Sequence, residues 1–257
     1  MGIINCTPDS FYEGSRKNAV SDALDTARQM VENGAAILDI GGESSRPGSS
    51  YVTDEEEIGR VIPVIEAIRY ELTIPLSIDT RKKSVAQAAV EAGADIINDI
   101  SALKDDPDLA VYAAEMNIPV ILMHMKGTPD SMQNDPFYND VLTSVMGSLG
   151  KSAKFALEMG IKKENIILDP GIGFGKRQED NIDLIKAIPK LKELGYPILI
   201  GLSRKRFLGE ITGRETESRL AGSLAANAFS MMQGAQILRV HDVRETVDMV
   251  KVMRELL

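Results

Sequence analysis

Eight short β-rich apolar runs, segments of helical periodicity between them, and glycines that close five of those segments predict an α/β chain. The class they specify is a (β/α)8 TIM barrel, in a single domain spanning residues 1–257. The first run, GIIN 2–5, is followed by Val20, Leu24, Ala27, Met30 and Val31 at the three-to-four spacing of a helix face, with Gly34 as its stop. AILDIGG 36–42 is the second run. The acidic stretch TDEEE 53–57 then reads as a helix start, with Thr53 and Glu56 as a capping box and the other acids at the positive end of the helix. Val61, Ile62, Ile65 and Ile68 continue that helix, which leads to PLSID 75–79. Gly93 precedes DIINDI 95–100, PVILMH 119–124 follows, and Gly160 precedes NIILDPG 165–171. Leu184, Ile188 and Leu191 mark a helix face ending at Gly195, before PILIGLS 197–203. Gly234 precedes the last run, QILRVHD 236–242. Runs this continuously apolar suit strands covered on both faces, as in a parallel sheet.

Composition narrows the function. The chain has 257 residues and is 44% hydrophobic, ample for a buried core. Its net charge of -9, from 38 acidic and 29 basic residues, disfavours nucleic acid or an anionic membrane as a partner. No run is long enough to span a bilayer and Met1 opens no basic-then-apolar leader, so neither membrane insertion nor secretion is expected. The single cysteine, Cys6, suits a reducing cytoplasm and reads as a small packing residue. Met231, Met232, Met249 and Met253 lie on helical stretches and read as core.

Polar residues stand at the same end of every run: Asn5, Glu43, Asp79, Asn98 with Asp99, His124, Asp169, Ser203, and Arg239 with His241. In a parallel barrel that end carries the active site. Three basic clusters, SSRPG 44–48, SRKRF 203–207 and RVH 239–241, fall there too and favour a local anion site in an acidic chain. Arg239 and His241, two apart, project from one side of a strand as a clamp suited to a phosphate or diphosphate. Asp79, Asn98 and Asp169 could pair with the edge of an amino-pyrimidinone ring or simply with one another, and spacing leaves both open. DPGIGFGK 169–176 imitates a phosphate cradle without being one. A P-loop needs glycine where Pro170 stands and Ser or Thr where Arg177 stands, and a dinucleotide fingerprint needs a different glycine spacing.

MGIINCTPDSF 1–11, GGESSRPG 41–48, SIDT 77–80, INDI 97–100, LMH 122–124, LDPGIGFGK 168–176, GLSRK 201–205 and RVHDV 239–243 together resemble the successive signatures of dihydropteroate synthases, in order along nearly the whole chain. The resemblance implies condensation of 6-hydroxymethyl-7,8-dihydropterin diphosphate with 4-aminobenzoate, in a cytoplasmic homodimer that uses Mg2+ and is a target of sulfonamides. It implies Asp79, Asn98 and Asp169 on the pterin ring, Lys205 beside the ring carbonyl and Met123 lining the pocket, with Lys205, Asp79 and Asp169 as the catalytic set. Asn5 would contact the metal. Ser45, Arg239 and His241 would hold the diphosphate, and Arg46, Pro47 and Phe174 would shape the aminobenzoate site. Gly171 and Gly173 would let backbone lie against the flat ring, and the loops 7–14 and 45–50 would cover the reaction centre. Glu13 stands where many relatives have Asp, and Arg206 follows Lys205 where some have Ser, which would offer the aminobenzoate carboxylate a guanidinium.

Two neighbouring readings fit less well. A methyltetrahydrofolate-binding domain also holds pterin with Asp and Asn but has no need of a diphosphate clamp, and a phosphate-binding sugar isomerase leaves Asp79, Asn98 and Asp169 without a purpose. A non-catalytic pterin-binding module would be favoured by a broken clamp, and every clamp position is filled.

Overall fold

A computed structural model describes residues 1–6, 16–44, 48–49, 51–134 and 136–257, the side chains of 16–18 excepted. The strands are β1 (Gly2–Asn5), β2 (Leu38–Gly41), β3 (Leu76–Asp79), β4 (Ile96–Asp99), β5 (Val120–Met123), β6 (Ile166–Asp169), β7 (Leu199–Ile200) and β8 (Ile237–Leu238). Around them lie α1 (Arg16–Glu32), α2 (Asp54–Glu71), α3 (Lys83–Glu91), α4 (Asp108–Glu115), α5 (Val141–Glu158), α6 (Gln178–Lys186), α7 (Ile188–Leu191), α8 (Arg206–Thr212), α9 (Leu220–Met232) and α10 (Val243–Leu256). Strands β1 to β6 pair in parallel in chain order, and β7 pairs with β8. Parallel bridges Leu168 to Ile198 and Gly2 to Val240 close both seams. At the last seam Ile3 N donates to Val240 O at 3.1 Å and Val240 N to Met1 O at 2.9 Å. The result is the (β/α)8 barrel that the eight runs predict.

Strand alternation sorts the side chains into two environments. Leu38, Ile40, Leu76, Ile78, Ile97 and Leu168 point outward into the large core shared with the helices. Ile96, Ile121 and Leu199 point inward and pack with Ile37, Ile167, Ile237 and Met1 as a separate cluster. These inward residues occupy the early positions of their strands, so they plug the N-terminal end of the barrel and leave the other mouth to polar groups. Two residues further along, the inward phase delivers Asp39, Asn98, Met123, Asp169 and Arg239, with Asp79 at the end of β3.

Local chemistry sets the helix ends. The five predicted stop glycines all adopt positive φ. Thr53 caps α2 by accepting from Glu56 N at 3.3 Å. The return half of the capping box is absent, because the Glu56 carboxylate pairs with Arg60. Glu57 is not a solvated helix-start acid either; it is buried against Lys82 at 2.7 Å. Core packing also fails at Met232, which is 56% exposed. The reason is the orientation of α9, which buries Ser223, Asn227 and Ser230 and leaves Phe229 and Met232 outside. Among the described residues no helix is long and apolar enough to cross a membrane.

Candidate active site

A charged ring lines the open mouth. Arg239 donates from Nε to Asp39 Oδ2 at 2.6 Å and from Nη2 to Asp79 Oδ2 at 2.8 Å. Asn98 Nδ2 donates to the same Asp39 oxygen at 3.2 Å. Burial disfavours the Arg239 cation, but Asp39 and Asp79 more than offset this and hold its pKa above the usual arginine range. Burial pushes Asp79 up to about 7, with Arg239 opposing and the charges of Asp39, Glu57 and Asp99 adding to the rise. Asp169 is likewise raised by burial, against the pull of Lys205 and the Gly171 N–H, which it accepts at 2.7 Å. Lys205 is pushed down to about 8 by burial, with Asp169 opposing. Its ammonium donates to Ile172 O and sits 4.6 Å above the Phe174 ring. A ligand entering this ring meets carboxylates that accept, cations that donate and one amide able to do both.

The segment between β6 and α6 is held from beneath by Lys176, which is 4% exposed. Its ammonium reaches Gly171 O at 2.8 Å, Phe174 O at 3.0 Å, His124 O at 3.3 Å and His124 Nδ1 at 3.0 Å. The lysine faces backbone, not the mouth. Burial pushes Lys176 down to about 7, and burial together with the Lys176 charge pushes His124 down to about 3. A neutral imidazole accepting at Nδ1 carries its proton on Nε2. Gly171 and Gly175 have φ of 66° and 62°. A Cβ at Gly171 would overlap His124 O, and one at Gly175 would lie 2.5 Å from Lys126 O, so close backbone approach requires glycine at both. Gly173 is pinned by Asn181 Oδ1, which accepts its N–H at 2.7 Å, and by Gln133 Nε2, which donates to its carbonyl at 2.9 Å.

A family model described as pterin binding enzyme matches residues 1–241. The dihydropteroate synthase of Bacillus subtilis is 46% identical over 257 residues, covering 100% of this chain and 88% of the relative. The chain belongs to the dihydropteroate synthase family. The enzyme of Xanthomonas albilineans, solved with 4-aminobenzoic acid, superposes with a TM-score of 0.93 at 47% identity, covering 100% of this chain and 92% of that one. That of Yersinia pestis, solved as a sulfonamide drug complex, gives 0.94 at 41% identity, covering 100% and 93%.

Within this dihydropteroate synthase fold, Asp79, Asn98, Met123, Asp169, Gly173, Phe174, Lys205 and Arg239 meet at one mouth. Asn5 is exposed at the end of β1. His241 is exposed, its Nδ1 lying 3.0 Å from Ser203 Oγ. Ser45, Arg46, Pro47, Glu13 and the cover loop 7–14 lie outside the described residues, as does most of 45–50.

Several strand tips that read as site residues serve the frame instead. Asp99 lies one position out of the inward phase and accepts from Ser101 N at 2.7 Å and Leu103 N at 2.6 Å. Glu43 binds Lys82 at 3.0 Å and Arg81. In the cluster 203–207, Arg204 is paired with Asp242 at 2.6 Å and the exposed Arg206 with Glu210 at 2.7 Å, while Lys205 is the cation beside Asp169. Cys6 is fully buried and its thiol is pushed up to about 12 by burial, as suits packing. Asp39 and Lys176 are the residues that motif reading passes over. Asp39 could have been found by counting two residues back from Gly41 along the inward phase, which exposes a carboxylate inside the barrel.

Proposed function

We propose that this mouth joins 4-aminobenzoate to 6-hydroxymethyl-7,8-dihydropterin diphosphate, giving 7,8-dihydropteroate and diphosphate. The observation that carries the reading is the inward ring itself, with Asp79, Asn98 and Asp169 set against Arg239 and Lys205. The carboxylates and the amide suit the donor and acceptor edge of the pterin, and Lys205 suits its carbonyl. In the reaction the methylene C–O bond breaks, its electron pair leaves with the diphosphate, and the arylamine nitrogen forms the new C–N bond before losing its proton. The electron-rich dihydropterin stabilises the methylene cation, so the protein mainly orients the ring and neutralises the leaving group. Arg239, His241 and Ser45 serve that neutralisation. The arylamine is neutral near pH 7 and needs no strong base before attack. Phe174, Arg46 and Pro47 bound its binding site, with loops 7–14 and 45–50 as covers.

Magnesium belongs to the same reading. Among the described residues there is no cluster of three acidic, histidine or cysteine ligands. Asn5 offers one exposed amide oxygen, which fits an ion that takes its other oxygens from the diphosphate and from water. Bound there, Mg2+ would supply positive charge to the leaving group.

The entire chain, 1–257, serves as one pterin-binding barrel domain. It works as a homodimer in the cytoplasm; the exposed apolar residues Phe229, Met232, Val252 and Leu256 on α9 and α10 support the first, and sedimentation equilibrium checks it. The aminobenzoate pocket is tested with a sulfonamide, the class bound by the Yersinia pestis relative. Rising drug is expected to raise the apparent KM for 4-aminobenzoate and leave kcat unchanged. An unchanged KM would count against the assigned pocket.

A further inference from the structure

Asp39 is fully buried inside the barrel and touches both halves of the proposed substrate site. One oxygen, Oδ2, takes Asn98 Nδ2 at 3.2 Å and Arg239 Nε at 2.6 Å. A carboxylate only accepts, so this contact settles the orientation of the Asn98 amide, leaving its carbonyl oxygen and second N–H for a ligand. The same carboxylate anchors Arg239 by its inner nitrogen. Nη2 then meets Asp79, and Nη1 has no hydrogen-bond partner among the described residues. The guanidinium is therefore held by its stem side with its outer edge presented, the arrangement that receives an anion.

We propose that Asp39 is a positioning residue that couples the two parts of the substrate, setting the Asn98 amide for the pterin ring and aiming Arg239 at the diphosphate. The inference rests on the function proposed above and adds a residue that acts through others. Asp39 acts through Asn98 and Arg239, both of which donate to its Oδ2. When the ring edge engages Asp79, Arg239 stays tethered at Nε by Asp39, and Nη2 joins Nη1 in facing the leaving group. Binding of ring and diphosphate then becomes cooperative, since occupying Asp79 with the ring frees a second guanidinium nitrogen for the diphosphate.

The test is calorimetric titration of folded Asp39→Asn, Arg239→Lys and the double variant with two probes, 6-hydroxymethyl-7,8-dihydropterin diphosphate and 6-hydroxymethylpterin, which lacks the diphosphate. Asp39→Asn is expected to weaken the diphosphate ligand at least about tenfold and the short probe less. Arg239→Lys keeps the charge but loses the Nε tether, and is expected to weaken the diphosphate ligand by a similar factor. The double variant is expected to bind no worse than Arg239→Lys by more than about twofold, because both changes break one linkage. The pH dependence of binding should also move to lower pH in Asp39→Asn. The charged groups acting on Asp79 are Arg239, Asp39, Glu57 and Asp99, and removing Asp39 takes away one that raises it. Wild-type affinity in Asp39→Asn, wild-type affinity in Arg239→Lys, or simple additivity in the double variant would each overturn the proposal. Arg239→Lys alone decides if Asp39→Asn does not fold. Wild-type protein that binds neither probe strikes the proposed function instead.

Discussion

Lys176 occupies a position where a lysine after alternating glycines invites a phosphate, yet its ammonium faces three carbonyls and an imidazole nitrogen. The motif could be rejected as a P-loop from spacing, but the lysine's actual partners lie on two different strand ends, a distance that local sequence does not encode. Asp39 was hidden for a related reason, since an acid within an apolar run gives no sign of its face until the strand's phase is known. The Lys176 environment predicts a pH signature. Its folded pKa of about 7 lies below the ordinary lysine value of 10.5, so across that interval the unfolded chain binds more protons and stability rises with pH. Lys176→Met should flatten the stability slope in that interval by up to about 1.4 kcal/mol per pH unit, read from urea midpoints at several pH values. A slope identical to that of wild type would refute the assignment.

Each strand and its following helix form a unit whose apolar half was legible and whose polar tip was not. All eight runs became strands because continuous apolar sequence has only the two-sided interior of a parallel barrel to occupy. The tips look alike in sequence but divide by strand phase: Asp79, Asn98 and Asp169 turn inward, while Asp99 ties down the chain after β4. Glu43 is governed by its neighbours, because Lys82, at the start of α3, bridges it and Glu57 of α2 at 3.0 and 2.7 Å and donates to Val52 O at 2.5 Å. This cluster welds the β2 and β3 tips together. Lys82→Met would leave Glu57, 1% exposed, without its counter-ion and should destabilise the protein by about 3 to 5 kcal/mol. Burial already raises Glu57 and Lys82 opposes the rise, so losing Lys82 lifts its folded pKa further. Stability is then lost as pH climbs from the unfolded carboxyl value toward the folded one, and urea unfolding should show a larger deficit at pH 8 than at pH 5. A deficit below about 1 kcal/mol, equal at both, would argue against the cluster's role.

At the scale of the whole molecule, the barrel converts a repeated sequence pattern into a division of labour. The inward apolar residues close one end, and the two seams at Leu168 to Ile198 and Gly2 to Val240 close the ring. Five strands then project a polar or charged residue into the remaining mouth, so residues as distant as Asp39 and Arg239 bond directly. An acidic chain thereby concentrates two cations in the mouth, Lys205 for the proposed ring carbonyl and Arg239 for the proposed diphosphate. The proposed activity depends on that placement. Its most direct test is turnover: purified protein is incubated with magnesium, 6-hydroxymethyl-7,8-dihydropterin diphosphate and 4-aminobenzoate, and both products are measured. The expected result is 7,8-dihydropteroate and diphosphate in equal amounts, both requiring 4-aminobenzoate, with kcat/KM reduced at least about a hundredfold in folded Lys205→Ala and Arg239→Ala variants. Folded wild-type protein that forms no dihydropteroate above those variants would contradict it.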